Sequence, residues 1–156
     1  MRLLKGAKAN STMAVAEPEP ARVIWGDEAL QLSGWPAGYD FDSAMRRTDS
    51  FGSFILRFVQ VCGVNPHQRD LSAIADLAGW RIRSSALSAP LLATVAVADS
   101  RDLQGPPISI GPYVIGHAPR GLGDRLPSGA YAACLGMFGE IIGAKVFVPD
   151  ERLPLL

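Results

Sequence analysis

The chain has 156 residues, of which 48% are hydrophobic and 19% are charged. This length fits one domain, and this composition excludes a disordered chain, because enough apolar surface is available to build a core. Fifteen basic residues balance fifteen acidic ones, so the chain lacks the basic excess that is typical of nucleic-acid-binding proteins. We therefore expect a folded domain without a sequence-specific nucleic-acid target.

No stretch of the sequence is typical of a membrane span or a secretory signal. The most apolar run, residues 87–98, contains Pro90 and is shorter than the ~18 residues that a transmembrane helix needs. The first sixteen residues are basic but have no uninterrupted apolar core. The sequence predicts a soluble protein, intracellular or within an assembled particle, without secretion. Peripheral membrane contact through the basic N-terminal tip stays open.

Residues 1–20 are predicted to be a flexible tail or linker, and residues 21–156 a single domain. The tail ends in Glu17-Pro18-Glu19-Pro20, which cannot continue a helix and favours an extended backbone. A basic tip followed by an acidic spacer is typical of an arm that contacts a partner. A targeting segment is the alternative.

The first part of the domain is predicted to contain two short strands and a helix. Residues 23–25 and 29–32 are short runs separated by a Gly-Asp turn. From Asp40 onward, apolar residues recur at spacings of three and four, which predicts a long or broken helix that ends near Cys62. Residues 51–62 also fit a buried strand, and that alternative stays open.

The middle of the chain is predicted to hold a helix followed by strands. Asn65-Pro66 is a typical helix start. The apolar stripe after it consists of Leu71, Ile74, Ala75 and Ala78, and Gly79 ends it. Strands are then predicted over residues 80–83, 91–98 and 108–115, the last of them interrupted at Gly111-Pro112 by a bulge or an edge position.

The last part of the chain is predicted to hold a loop, a helix and a strand. Residues 116–127 are polar and rich in glycine, residues 128–143 favour a helix of small side chains, and residues 145–148 favour a strand. The elements mix without strict βαβ alternation. The sequence thus predicts an α+β fold, one compact domain with a mainly antiparallel sheet and two to three helices.

The glycine-rich loop is the strongest candidate for a ligand site. Its predicted binding residues are His117, Arg120, Gly121, Gly123 and Arg125. Arginines and glycines ahead of a helix N-terminus are suited to hold phosphate or carboxylate. The Gly-Lys-[Ser/Thr] ending of a P-loop is missing. The competing interpretation is an ordinary solvated surface loop.

No arrangement of residues predicts catalysis or a metal. Cys134 with His117 and Asp124, or Cys62 with His67, has the residue types of a nucleophile and a base. Both cysteines have apolar neighbours, and burial makes a thiol unreactive. CxxC and HxxxH spacings are absent from the sequence. We therefore predict no catalytic residue, no metal site and no cofactor.

The predicted helix over residues 128–143 indicates close packing. Its small residues four positions apart are Ala132 and Gly136, then Gly139 and Gly143. Such pairs let two backbones approach each other. They predict either an interface with another subunit or packing within the domain.

The N-terminal part of the chain resembles the matrix proteins of negative-strand RNA viruses. The resemblance consists of the basic tip MRLLKGAK, the acidic Pro-rich spacer, a strand, and residues 36–41 leading into a helix. It implies association with a virion, and no residue role follows from it.

Two classes of function remain. The first is a non-catalytic structural or assembly protein, a subunit of a virion, shell or larger complex, with a protein partner or self-association. It is favoured by the tail, the small-residue helix and the near-zero net charge. The alternative is a small enzyme or ligand-binding domain with an anion site in the loop 116–127. The sequence favours the non-catalytic protein.

Overall fold

A computed structural model describes residues 22–36, 39–46, 57–82, 86–97, 104–120 and 126–148. Its strands are β1 (Arg57–Gln60), β2 (Leu91–Val95), β3 (Pro107–Ile110), β4 (Tyr113–His117), β5 (Gly129–Phe138) and β6 (Ile141–Val148). Its helices are α1 (Asp27–Leu32), α2 (Phe41–Arg46) and α3 (Gln68–Leu77), the last preceded by a 3₁₀ turn, Asn65–His67.

The six strands form one antiparallel sheet in the order β1–β6–β5–β2–β3–β4. The predicted combination of helices with a mainly antiparallel sheet is confirmed. The sheet contributes more of the fold than the sequence indicates, because residues expected to form a helix form two of its strands. No helix of the described segments is long and apolar enough to cross a bilayer.

The sheet curves into an incomplete barrel whose two edges meet at one residue pair. Cys62, just after β1, forms an antiparallel bridge with His117 at the end of β4. Each backbone N–H donates to the other residue's carbonyl oxygen, with N···O distances of 2.9 Å. Gly116 allows this approach, because a Cβ there would overlap the carbonyl oxygen of Cys62. We call this pair the seam.

The barrel interior is the main hydrophobic core. Alternate residues of each strand point inward, as the two-residue period of a strand requires. The fully buried ones include Leu91, Ile108, Ile110, Ile115, Leu135 and Val146. The helix α3 covers one end of the barrel with three fully buried side chains, Leu71, Ile74 and Ala75.

The side chain of Gln68 ties α3 to β6. Its Nε2 donates to the carbonyl of Ile142 at 2.9 Å, and its Oε1 accepts from the N–H of Ile142 at 2.7 Å. The amide thus forms the two hydrogen bonds with the β6 backbone that a neighbouring strand would form. It does so at Ile142, which precedes the part of β6 that pairs with β1. This contact fixes where α3 meets the sheet.

The outer face of β5, β6 and β1 is divided into two halves. The covered half lies under α1, α2 and the segment between them. Its buried residues are Leu30, Trp35, Phe41, Ala44, Ala132, Cys134 and Phe147, with Tyr39 and Leu87 packed against them. The rings hold it together: Trp35 lies 5.0 Å from Tyr39 and 5.3 Å from Phe41, and Phe41 lies 5.0 Å from Phe147, between ring centroids.

The predicted helix over residues 128–143 is wrong. This segment forms β5 and the start of β6, joined by a two-residue turn. Gly139 occupies the turn with φ of 59°, a conformation that glycine adopts without strain. Residues of β5 on both faces are buried, so its spacing of small residues fits a strand as well as a helix.

Three other predictions are wrong over the described residues. Residues 29–32 belong to α1, which starts after Gly26 at φ 74° and has two acidic residues in its first turn. Residues 80–83 form no strand where the structure describes them. Of the long helix predicted from Asp40 to Cys62, the structure describes α2 at the start and the strand β1 near the end, where the strand alternative holds, while residues 47–56 lie outside the described part.

Several elements are confirmed. The helix α3 carries the predicted apolar stripe and is followed by Gly79 at φ 70°. Strand β2 and the end of β6 lie where the sequence predicts strands, whereas the single interrupted strand predicted over residues 108–115 is a hairpin of two strands, β3 and β4. Gly111 and Pro112 form the turn of the β3–β4 hairpin rather than a bulge at that point. The predicted tail, residues 1–20, lies outside the described residues.

Candidate functional site

The second half of the outer face has exposed apolar side chains. We call it the open half and define it as Phe58, Phe138, Ile141, Lys145 and the seam residue Cys62. Phe58 is 39% exposed, Phe138 47% and Ile141 37%. Neither α1 nor α2 extends over these rings. The contrast with the covered half identifies this surface as the candidate site.

Lys145 lies at the centre of the open half. Its Nζ is 4.5 Å from the ring centroid of Phe58 and 5.9 Å from that of Phe138, within reach of cation–π attraction. Phe138 is paired with Ile141 across the hairpin. Two rings thus lie beside one cation, and Ile141 lies beside Phe138 at the hairpin end of the same face.

The seam is at the edge of this patch. In a hydrogen-bonded antiparallel pair, the two side chains project from the same face, with Cβ atoms about 4.5–5.5 Å apart. The side chains of Cys62 and His117 therefore project from the same outer face, and the thiol of Cys62 donates to the carbonyl oxygen of Gln60 at 3.8 Å. Both residues are half-buried, so solvent reaches part of each side chain.

The ring of His117 is held in a defined orientation. Its Nδ1 lies 3.0 Å from the carbonyl oxygen of Ala118, and because a carbonyl only accepts, Nδ1 carries the proton of this hydrogen bond. Nε2 is then the nitrogen with a free lone pair. A Cβ at Gly63 would lie 2.9 Å from Nε2, so the ring packs closely against Gly63 and leaves no room for a side chain there.

The residues of the predicted anion site are only partly described. His117 is in β4, and Arg120 is exposed in the turn after it. Gly121, Gly123 and Arg125 lie outside the described residues. The helix N-terminus that was expected after the loop is replaced by β5. The anion site stays a prediction, without the helix dipole that supported it.

The predicted interface residues are divided between the two halves. Ala132 and Gly136 lie under the covered half, where a Cβ at Gly136 would be 2.8 Å from a methyl carbon of Leu87. Gly143 lies under the ring of Phe138 in the open half, and Gly139 is exposed in the turn. Their role in an interface stays a prediction, and the helix on which it was based is wrong.

The hypothesised pair of Cys134 and His117 lies on two strands, β5 and β4, that are not neighbours in the sheet. Cys134 is fully buried in the covered half, and the backbone pairs His117 with Cys62 instead. The described residues contain no group of three or more His, Cys, Asp or Glu side chains placed to hold a metal ion. Among the described residues, the seam itself has one thiol and one imidazole, those of Cys62 and His117.

Sequence reasoning missed both the open half and the seam. The open half combines residues from β1, the hairpin turn and β6, which only the strand register unites. A signal existed for the hairpin, since Phe138-Gly139-Glu140-Ile141 is a two-residue turn between apolar runs. No sequence signal pairs Cys62 with His117.

Comparisons with protein families, with curated proteins and with solved structures found no match to this chain. The function must therefore be inferred from the site itself.

Proposed function

We propose that this protein is a non-catalytic assembly protein that associates with further copies of itself through the open half. The observation that carries this proposal is the continuous patch of Phe58, Phe138 and Ile141 around Lys145. Exposed aromatic side chains that lie together are typical of protein interaction sites. Burial of such rings against a partner removes them from water, which favours association.

A second copy is the occupant that the charges favour. Lys145 lies two residues after Gly143 on β6, and Glu140 lies three residues before it, exposed in the turn. Among the described residues, neither charge has an ion-pair partner. A two-fold axis that crosses β6 near Gly143 brings each Lys145 to the partner's Glu140. The patch is thus complementary to itself, as a symmetric dimer requires.

The overall charge balance supports the same conclusion. A net charge of zero at pH 7 gives two copies no long-range electrostatic repulsion and favours association. The viral matrix or shell role suggested by the N-terminal resemblance is one setting for such a protein.

Light scattering over a range of protein concentrations tests self-association, and charge reversal tests its geometry. Lys145→Glu and Glu140→Lys each place like charges opposite one another in the two-fold arrangement, so each variant alone should be monomeric. A mixture of the two variants should associate, because every contact then joins a carboxylate to an ammonium group. The double variant should associate with itself for the same reason.

Matched controls separate this surface from apolar exposure in general. Phe138→Ser should lower the association constant at least about tenfold, the result of losing about 1.4 kcal/mol. Val114→Ser should leave association unchanged, since Val114 on β4 is as exposed, at 46%, but lies outside the open half. A wild-type chain that stays monomeric up to high concentration, or a mixture of charge variants that fails to associate, would overturn the proposal.

A further inference from the structure

One side of β1 presents backbone groups that no other strand of the described residues pairs with. Successive residues of a strand direct their N–H and C=O groups to opposite sides. Val61 donates its N–H to β6, whereas Cys62 exchanges both of its backbone hydrogen bonds with His117 across the seam. By the same alternation, Phe58 and Gln60 direct their backbone groups away from β6. We call these groups of Phe58 and Gln60 the β1 edge.

Pro119 explains why the seam does not extend along the β1 edge. Continuing the antiparallel register of Cys62 with His117 places Gln60 opposite Pro119. Proline has no N–H to donate, and no backbone hydrogen bond joins the two residues. The carbonyl of Gln60 accepts instead from the thiol of Cys62 at 3.8 Å, and a thiol is a weak donor. Unpaired backbone groups at the edge of a sheet are a template for a further strand.

The surroundings of the β1 edge are basic. Strands β1, β4 and β6 contain no acidic residue. Arg57 is exposed at the start of β1, and Arg120 is exposed just beyond the seam. Lys145 is the register partner of Gln60, and its Nζ lies over the ring of Phe58, 4.5 Å from the centroid. An acidic side chain on a strand added at this edge would therefore lie near the ammonium group.

We propose that the β1 edge binds an extended segment of a partner protein that has acidic side chains at alternate residues. The segment adds a strand antiparallel to β1. Residues that exchange hydrogen bonds with Phe58 and Gln60 have their side chains on the same outer face, where their carboxylates pair with Lys145. The residue between them lies on the face of Val59, which packs against the barrel core, so an apolar side chain fits there.

This binding does not depend on the proposed self-association. Backbone groups at the edge of the sheet hold the partner segment, whereas the proposed dimer uses side chains on the face of the sheet. A variant that blocks the edge should therefore leave self-association unchanged.

Fluorescence anisotropy of labelled peptides tests the charge of the partner segment. The probe is a peptide of four Glu-Val repeats with blocked ends, and its matched control has four Lys-Val repeats. The Glu-Val peptide should bind the whole chain, and the Lys-Val peptide should bind at least about tenfold more weakly. Lys145→Gln should weaken binding of the Glu-Val peptide and reduce its sensitivity to salt. Equal binding of the two peptides would overturn the proposed chemistry of the partner.

N-methylated peptides test the added strand without any change to the protein. Methylation of the Glu nitrogens removes the N–H groups that face β1, so binding should be lost. Methylation of the Val nitrogens changes groups that face solvent, where a strand tolerates a missing N–H, so binding should be kept. The reverse order, or equal binding of both methylated peptides, contradicts the proposed strand.

Two variants at Gln60 separate its backbone from its side chain. Gln60→Pro removes the N–H of the edge and keeps the hydrogen bonds between β1 and β6, so the affinity for the Glu-Val peptide should fall at least about tenfold. Gln60→Ala keeps that N–H and loses the amide contact with the carbonyl of Ala144, and its affinity should match the wild type. Undiminished binding to a folded Gln60→Pro variant would overturn the proposal.

Amide hydrogen exchange locates the bound peptide. Exchange should slow at Phe58 and Gln60 when the Glu-Val peptide binds, and should not change at Val59, whose N–H already faces β6. Binding without this protection places the peptide elsewhere and overturns the proposal. Loss of self-association in Gln60→Pro, but not in Gln60→Ala, would assign the edge to a second copy of the chain and overturn the choice of partner.

Discussion

The covered half and the open half are built on the same three strands, yet their aromatic residues have opposite environments. Phe58 and Phe147 are directly opposite each other on β1 and β6, with ring centroids 6.2 Å apart. Phe147 is 4% exposed and Phe58 is 39% exposed. Phe147 packs against Phe41 of α2, which accounts for its burial, whereas Phe58 contacts Phe147 and Lys145. The comparison indicates that the covered half stabilises the fold and the open half is available for a partner.

Replacement of the two opposed phenylalanines should give the largest contrast. Phe147→Ala should lower the free energy of unfolding by about 3–5 kcal/mol, because it leaves a cavity beneath Phe41 and Phe58. Phe58→Ala should cost about 1 kcal/mol, since much of that ring is already in water. Urea denaturation of the monomeric protein measures both values. Equal losses would show that the two halves contribute alike to the fold.

Two opposed glycines give a smaller contrast. Gly136 and Gly143 are partners across β5 and β6. A Cβ at Gly136 would meet Leu87 at 2.8 Å, and a Cβ at Gly143 would meet the Phe138 ring at 2.6 Å. Leu87 is packed against the covered half, so Gly136→Ala should cost about 1–3 kcal/mol of stability. The exposed Phe138 ring has room to move, so Gly143→Ala should cost less than about 1 kcal/mol. Thermal unfolding measures the two, and the reverse order would contradict the division into halves.

The smallest effect on stability should come from a change at Tyr131, in the barrel interior. Burial raises the pKa of Tyr131 above its usual value of 10.0, and the hydroxyl donates to the carbonyl of Pro127 at 2.6 Å. The neutral form is therefore favoured in the folded state. Its stabilisation is complete below pH 10 and is lost as the pH rises through the raised pKa. Tyr131→Phe should make unfolding less dependent on pH above about pH 10, as denaturant titrations at several pH values would show. If the free energy of unfolding of Tyr131→Phe depends on pH as strongly as that of the wild type, Tyr131 is not the source of the pH dependence.

Predictions from the sequence were correct for elements with one apolar and one polar face. They were wrong for elements that are buried on both faces. Helix α3 has one buried stripe, Leu71, Ile74 and Ala75, and a polar face, so the period of its apolar residues is unambiguous. In β5 the inward residues and the outward Ala132 and Cys134 are both buried. A strand covered on both sides loses the alternation of polar and apolar residues that identifies it.

The candidate site could not be predicted from the sequence, for a different physical reason. The Cys62–His117 pair and the Phe58–Lys145 contact depend on strands that are distant in sequence and on their register. A change of register by one residue would place each of these side chains on the other face of the sheet. Composition and local spacing carry no information about such a register.

The seam also has a consequence for the order in which the chain folds. The β5–β6 and β3–β4 hairpins join neighbouring segments across short turns, so they close quickly and at little cost in chain entropy. The seam joins two segments that are far apart in the sequence and has two backbone hydrogen bonds. It is therefore expected to form last and to open first. A ligand that contacts both Cys62 and His117 would hold the two edges of the barrel together. It should therefore slow unfolding and leave the folding rate unchanged.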